Sequence, residues 1–112
     1  MIELTKIRCV GCEGGIPALT HDEAQKLQQQ TKKWQINNDH KSIRRDFKFN
    51  NFYETMAFVN AIAWIANQEG HHPDLEVGYN YCHVIFTTHA VKGLTQNDFI
   101  CAAKIDALEV PI

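Results

Sequence analysis

Two adjacent imidazoles with a proline behind them, His71-His72-Pro73, are the side chains of this sequence best suited to chemistry. Six histidines occur in 112 residues, and three of them fall in this pair and in the TTH run that ends at His89. Histidine titrates near neutrality, so one imidazole can give a proton while another takes one. Two or three around a small polar pocket would divide general-acid from general-base work. The plainer account of any HH pair is a surface or capping role, since histidine sits readily half exposed. A metal shell of His71, His72, His89 and Asp98 is a further alternative. Against it, no HExxH or other compact ligand spacing occurs, and adjacent rings converge poorly on one ion about 2 Å away.

Asp98 follows His89 by nine residues, across the short AVKGL turn. That connection allows carboxylate and imidazole to meet, although an acid is favoured at a helix start for amide and dipole reasons alone. Other chemistries are weaker. Cys9-Val-Gly-Cys12 is a single CxxC with no second pair at zinc-ribbon spacing, and it does not open a helix after a strand. Cys82 and Cys101 sit alone in apolar segments. Ser42, the one serine, is not in a GxSxG elbow, and no glycine-rich phosphate loop exists.

The net charge of −2 argues against nucleic-acid binding. The length and a hydrophobic fraction of 45% suit one domain with its own core. No apolar run reaches transmembrane length. The start, MIELTKIRCVGCEGG, lacks a basic region followed by an apolar core, so no signal peptide is expected and a reducing cytoplasm is.

The elements that must position these residues follow from periodicity. Residues 1–19 read as an N-terminal extension carrying the CxxC, and 20–112 as the domain. Thr20 and Glu23 form a capping box. It opens a helix to about Thr31 with Ala24 and Leu27 inward. Residues 33–37 and 42–49 read as a hairpin around NDHK, with Ile43, Arg45, Phe47 and Phe49 on one side. Residues 51–68 carry the main helix, with Phe52, Met56, Val59, Ala63 and Ala66 as its stripe, widened by Phe58, Ile62 and Ile65. Gly70 ends it. LEVGYN and YCHVIFTTH follow as strands. The second places Cys82, Val84 and Phe86 on one face and His83, Ile85, Thr87 and His89 on the other. Thr95 and Asp98 make a second capping box for a helix to about Leu108. The order α-β-β-α-β-β-α predicts an α+β fold of two layers: a four-stranded antiparallel sheet with three helices packed on one face. The other face is left for solvent or assembly.

The stretch EGHHPDLEVGYNYCHVIFTTHAVKGLTQNDFICAAKID resembles the signature region of the pterin-4a-carbinolamine dehydratases. HHP follows the long helix, then come a Y-N turn, a strand ending in TH, a G-L-T segment and an acid at the next helix start. The similarity spans about residues 17–108. It implies a hydro-lyase that removes water from 4a-hydroxytetrahydrobiopterin, giving the quinonoid dihydropterin and supporting tetrahydrobiopterin recycling. His71 and His89 are implied as the acid–base pair, and His72 as a holder of substrate. Asp98 is implied near the last histidine, which it orients; Pro73 and Thr88 are implied to bind or orient substrate. The pterin nitrogens push the electrons, so no metal or other cofactor is implied. The partners implied are the pterin, an aromatic amino acid hydroxylase as functional partner, and further copies of the chain as a homodimer or homotetramer, with no nucleic acid and no membrane. Many relatives have an aromatic residue where this chain has Leu75. The rival is a small metal-binding or protein-interaction module without this activity.

Overall fold

The computed structural model describes residues 3–11 and 17–108. The Thr20 hydroxyl accepts the Glu23 amide at 3.2 Å, and the Glu23 carboxylate accepts the Thr20 amide at 2.9 Å. Two amides that a helix start leaves without partners are thereby satisfied. Helix α1 runs His21–Gln28 with Ala24 buried. The last turn expected of it, to Thr31, is instead wound more tightly: the amides of Gln29, Gln30 and Thr31 each reach back three residues.

Strands β1 (Gln35–Ile36) and β2 (Ile43–Lys48) form the first hairpin. Helix α2 covers Phe52–Glu69, strands β3 (Asp74–Val77) and β4 (Tyr81–Phe86) form the second hairpin, and α3 covers Gln96–Asp106. The sheet order is β1-β2-β4-β3, antiparallel throughout. The two hairpins join through β2 and β4, in register from Ile43 opposite Phe86 to Lys48 opposite Tyr81. This is the expected sheet, with three helices over one face.

That register puts Ile43, Phe47, Cys82, Val84 and Phe86 beneath the helices, all buried. Trp34, Leu94, Phe99, Ile100 and Ile105 complete the centre. Arg45 shares the inward parity of β2, which a charge ordinarily avoids. Its guanidinium lies 4.2 Å from the centroid of the Phe47 ring and pairs with Asp106, which also accepts the Trp34 indole N–H at 2.8 Å. The charge is thus capped at the rim of the core.

Helix α2 is rotated relative to the stripe expected of it. Thr55, Phe58, Ile62 and Ala66 are buried, Met56 and Val59 are half-buried, and Phe52 and Ala63 face outward. The helix is apolar nearly all round, so periodicity fixed its type and not its rotation. Thr55 tolerates the buried side because its hydroxyl lies 2.9 Å from the carbonyls of both Asn51 and Tyr79, which share its single proton.

The described part of the N-terminal segment is docked on the domain. Leu4 is buried, and the Leu4 amide donates to Gln30 Oε1 at 2.9 Å. Cys12, the second cysteine of the CxxC, lies outside the described residues.

Candidate active site

The site begins where α2 stops. Gly70 takes the left-handed conformation, φ 65°, which a residue with a Cβ adopts only at a cost. The chain reverses there, and the His71 amide returns to the Ala66 carbonyl at 3.2 Å. The His71 ring then lies nearly parallel to Phe86 of β4, centroids 5.8 Å apart. Its Nε2 is 2.5 Å from Oδ1 of Asp98.

Asp98 is fully buried, with 0% of its surface exposed, in the first turn of α3. A carboxylate so placed is tolerable only when donors surround it. Its Oδ2 accepts the Thr88 hydroxyl at 2.8 Å and the Thr95 amide at 3.0 Å, and its Oδ1 meets the His71 ring. The Thr88 and Thr95 hydroxyls are 2.9 Å apart. A carboxylate only accepts, so the single Thr88 proton goes to Asp98 and the Thr95 hydroxyl donates to Thr88. The same logic makes His71 a donor through Nε2. Its Nδ1 is then the ring atom left to exchange a proton with a ligand, a tautomer assigned by the network.

His89 lines the same cleft as His71. Strand β4 ends at Phe86, and His89–Val91 form a short 3-10 turn. The Thr88 amide closes onto the Gly93 carbonyl at 2.8 Å, and Lys92 turns the chain with φ 54°. His71, His72, Thr88 and His89 share the lining of a cleft of about 330 Å3, together with Gly70, Thr87, Ala90, Asn97 and two N-terminal residues, Val10 and Gly11. That size lies at the lower end of small-ligand sites. His72 and His89 are exposed; the His71 side chain is 11% exposed.

Three expectations change. Asp98 holds His71 rather than His89, because the chain leaves the strand before His89 and it is Thr88 that turns inward to the carboxylate. His89 does not continue the outward alternation of β4, since it sits on the turn. Pro73, half-buried ahead of β3, is not among the residues lining the cleft. Sequence reasoning missed Thr95 as a hydroxyl donor, Phe86 as the floor under His71, and Val10, Gly11 and Asn97 as walls. Only the capping box at Thr95 carried any advance signal.

Cys82 and Cys101 do not compete for the chemistry. Burial pushes the Cys82 thiol up to about 11. Contact with the Cys9 sulfur, 3.6 Å away, and burial also push the Cys101 thiol up. Thiolates are the reactive form, so both are poor nucleophiles at neutrality. Among the described residues, no three His, Cys, Asp or Glu side chains cluster closely enough to share a metal ion.

Comparison with known proteins bears on this geometry. The sequence model for the family described as pterin 4 alpha carbinolamine dehydratase matches residues 17–108. A Legionella pneumophila (strain Lens) protein that carries the pterin-4-alpha-carbinolamine dehydratase name is 62% identical over 109 residues, covering 96% of each chain. A Nitrosomonas europaea protein of the same name is 53% identical over 107 residues, covering 95% of this chain and 93% of its own. The crystal structure of a transcriptional coactivator/pterin dehydratase from Brucella melitensis superposes with a TM-score of 0.76 at 31% identity, over 80% of this chain and 96% of that one. A pterin dehydratase-like RuBisCO assembly factor of the alpha-carboxysome shares the fold alone, at TM-score 0.58 and 23% identity.

Proposed function

We propose that this chain, which belongs to the pterin 4 alpha carbinolamine dehydratase family, uses the cleft between His71 and His89 to dehydrate a 4a-hydroxytetrahydropterin. The observation that carries the assignment to this cleft is the buried Asp98–His71 pair, held by Thr88, on a wall shared with His72 and His89. Dehydration needs two proton movements. The C4a oxygen must gain a proton as its bond to carbon breaks, because hydroxide is a poor leaving group. N5 must lose its proton, and its electron pair then forms the new C=N bond of the quinonoid product. His71 and His89 make these transfers, and water leaves. Asp98 fixes the ring and tautomer of His71. His72, exposed in the cleft lining, holds the substrate. General acid–base catalysis of this kind is typically worth about 10²–10⁴-fold.

The pterin supplies the electrons, so the reaction proceeds with no metal, and chelator treatment leaves the rate unchanged. Zinc or iron that is retained through purification and then lost together with activity would favour the metal-binding rival. In this account residues 1–19 extend the catalytic domain of residues 20–112, and Pro73 acts only indirectly, by setting where β3 begins. The protein works in the cytoplasm as a homodimer or homotetramer, supplied with carbinolamine by an aromatic amino acid hydroxylase and supporting tetrahydrobiopterin recycling. Among the described residues, no helix is long and apolar enough to cross a membrane. The test of the reaction is an assay in which a hydroxylase generates the carbinolamine in situ and pterin ultraviolet absorbance follows its loss. Acceleration over the spontaneous rate is expected; a progress curve identical to the protein-free control overturns the reading.

A further inference from the structure

One wall of the cleft comes from outside the stretch matched by the family model, which begins at residue 17. Val10 and Gly11 line the cleft with the three histidines. Their backbone is tied down at several points. The Asn97 amide clasps Val10 from both sides: its Oδ1 accepts the Val10 N–H at 3.1 Å, and its Nδ2 donates to the Val10 carbonyl at 2.6 Å. One residue earlier, the Cys9 amide donates to Glu69 Oε1 at 2.8 Å. Glu69 is in turn held by Lys104 at 2.8 Å and by Arg8 at 3.2 Å, and Arg8 also donates to the Gln68 carbonyl at 3.1 Å.

So firm an anchorage does not bury the Val10 side chain, which stays 64% exposed. The backbone is fixed while an apolar residue stays exposed at the cleft. The substrate chemistry says what would meet it. In a pterin, C6 is bonded directly to N5, the atom that must give up its proton. A substituent on C6 therefore leaves the ring close to the histidines, and Val10 lines the same cleft as they do.

We propose that Val10 is a specificity-determining residue, contacting the C6 substituent of the pterin and setting which substituents are accepted. This rests on the dehydratase reading above. Alignments with the Legionella and Nitrosomonas relatives cover 95–96% of the chain and so extend into this segment, although the family model does not.

The test compares two carbinolamines, one with a methyl group and one with a dihydroxypropyl group at C6, on the full chain and on Val10→Ala and Val10→Thr. Threonine keeps the shape of valine and replaces one methyl by a hydroxyl; alanine removes the bulk. Val10→Thr is expected to shift the preference, the ratio of the two kcat/KM values, toward the dihydroxypropyl substrate by about tenfold, the scale of a single side-chain contact. Val10→Ala should raise KM for both with kcat within about twofold, because the acid–base machinery is untouched. A preference ratio unmoved in both variants overturns the proposal. So does an equal fall in kcat for both substrates at constant KM, the sign of a merely structural role. If the wild-type chain accelerates neither substrate, the dehydratase reading itself fails and this inference with it. An active wild type with indifferent variants removes only the inference.

Discussion

His71 and Asp98 lie 27 positions apart and meet at 2.5 Å, so the pair depends on everything that places the end of α2 against the start of α3. Replacing Asp98 by alanine strands the Thr88 hydroxyl and the His71 ring N–H in a site from which water is largely excluded. We expect a stability loss of about 2–4 kcal/mol, with each orphaned group contributing about 1–3 kcal/mol, read from urea unfolding. Asp98→Asn keeps the volume and loses the charge. It should unfold nearer to wild type while kcat/KM falls about 10- to 100-fold through the misdirected His71 ring. An Asp98→Asn enzyme at wild-type rate would show that His71 needs no orienting acid. The sequence made His71, His72, His89 and Asp98 legible as a set, because residue type and order carry chemical meaning. It did not show which histidine the acid serves. That depends on β4 stopping at Phe86 rather than running through to His89, a choice made by the Thr88–Gly93 turn and invisible to a period-two pattern.

At the scale of elements, the capped starts of α1 and α3 and both hairpins were legible, because capping boxes and alternation are local signals. The rotation of α2 and the docking of residues 3–11 were not, because each is decided by partners distant in sequence. Two outcomes follow from those partners. Thr31 is fully buried, and its hydroxyl has no protein partner among the described residues. Thr31→Val should therefore raise stability by roughly 1 kcal/mol, seen as a higher urea midpoint at unchanged m-value. A lower midpoint would mean that the hydroxyl is satisfied after all. The second concerns Glu69, whose side chain is 4% exposed. Burial pushes its carboxyl up, but the Cys9 amide, Lys104 and Arg8 together outweigh that and leave it below the ordinary glutamate range. A lowered folded value means that its stabilisation of the N-terminal segment is fully present above the unfolded value, roughly pH 4.3. It is lost as pH falls through the lower folded value. The Cys9 amide proton resonance should hold steady down to about that pH and move only in stronger acid. Movement centred near neutrality would contradict the assignment.

The whole molecule is a thin sandwich with one sheet face uncovered. That face is laced by charge: Arg44 pairs with Asp46 at 2.8 Å and Glu76 at 3.3 Å, and Glu76 with His83 at 3.0 Å. The exposed aromatics include Tyr81 beside these charges on β4, Trp64 and Tyr53 on α2, and Tyr79 in the second hairpin turn. Exposed aromatics of this size favour association, so sedimentation at micromolar concentration should show a dimer or tetramer; a single species of 12.8 kDa would contradict it. Activity is likewise a property of the whole, since the end of α2 brings His71 and the turn after β4 brings His89 to one cleft. The most direct test measures carbinolamine dehydration, background subtracted, for the wild type, His71→Ala, His89→Ala and the double variant. Each single change should slow the reaction about 10- to 1,000-fold, about 1.4–4 kcal/mol of transition-state stabilisation. The double variant should lose less than the sum, because the two imidazoles act on one event. Acceleration that survives the loss of both His71 and His89 would contradict the account at its centre.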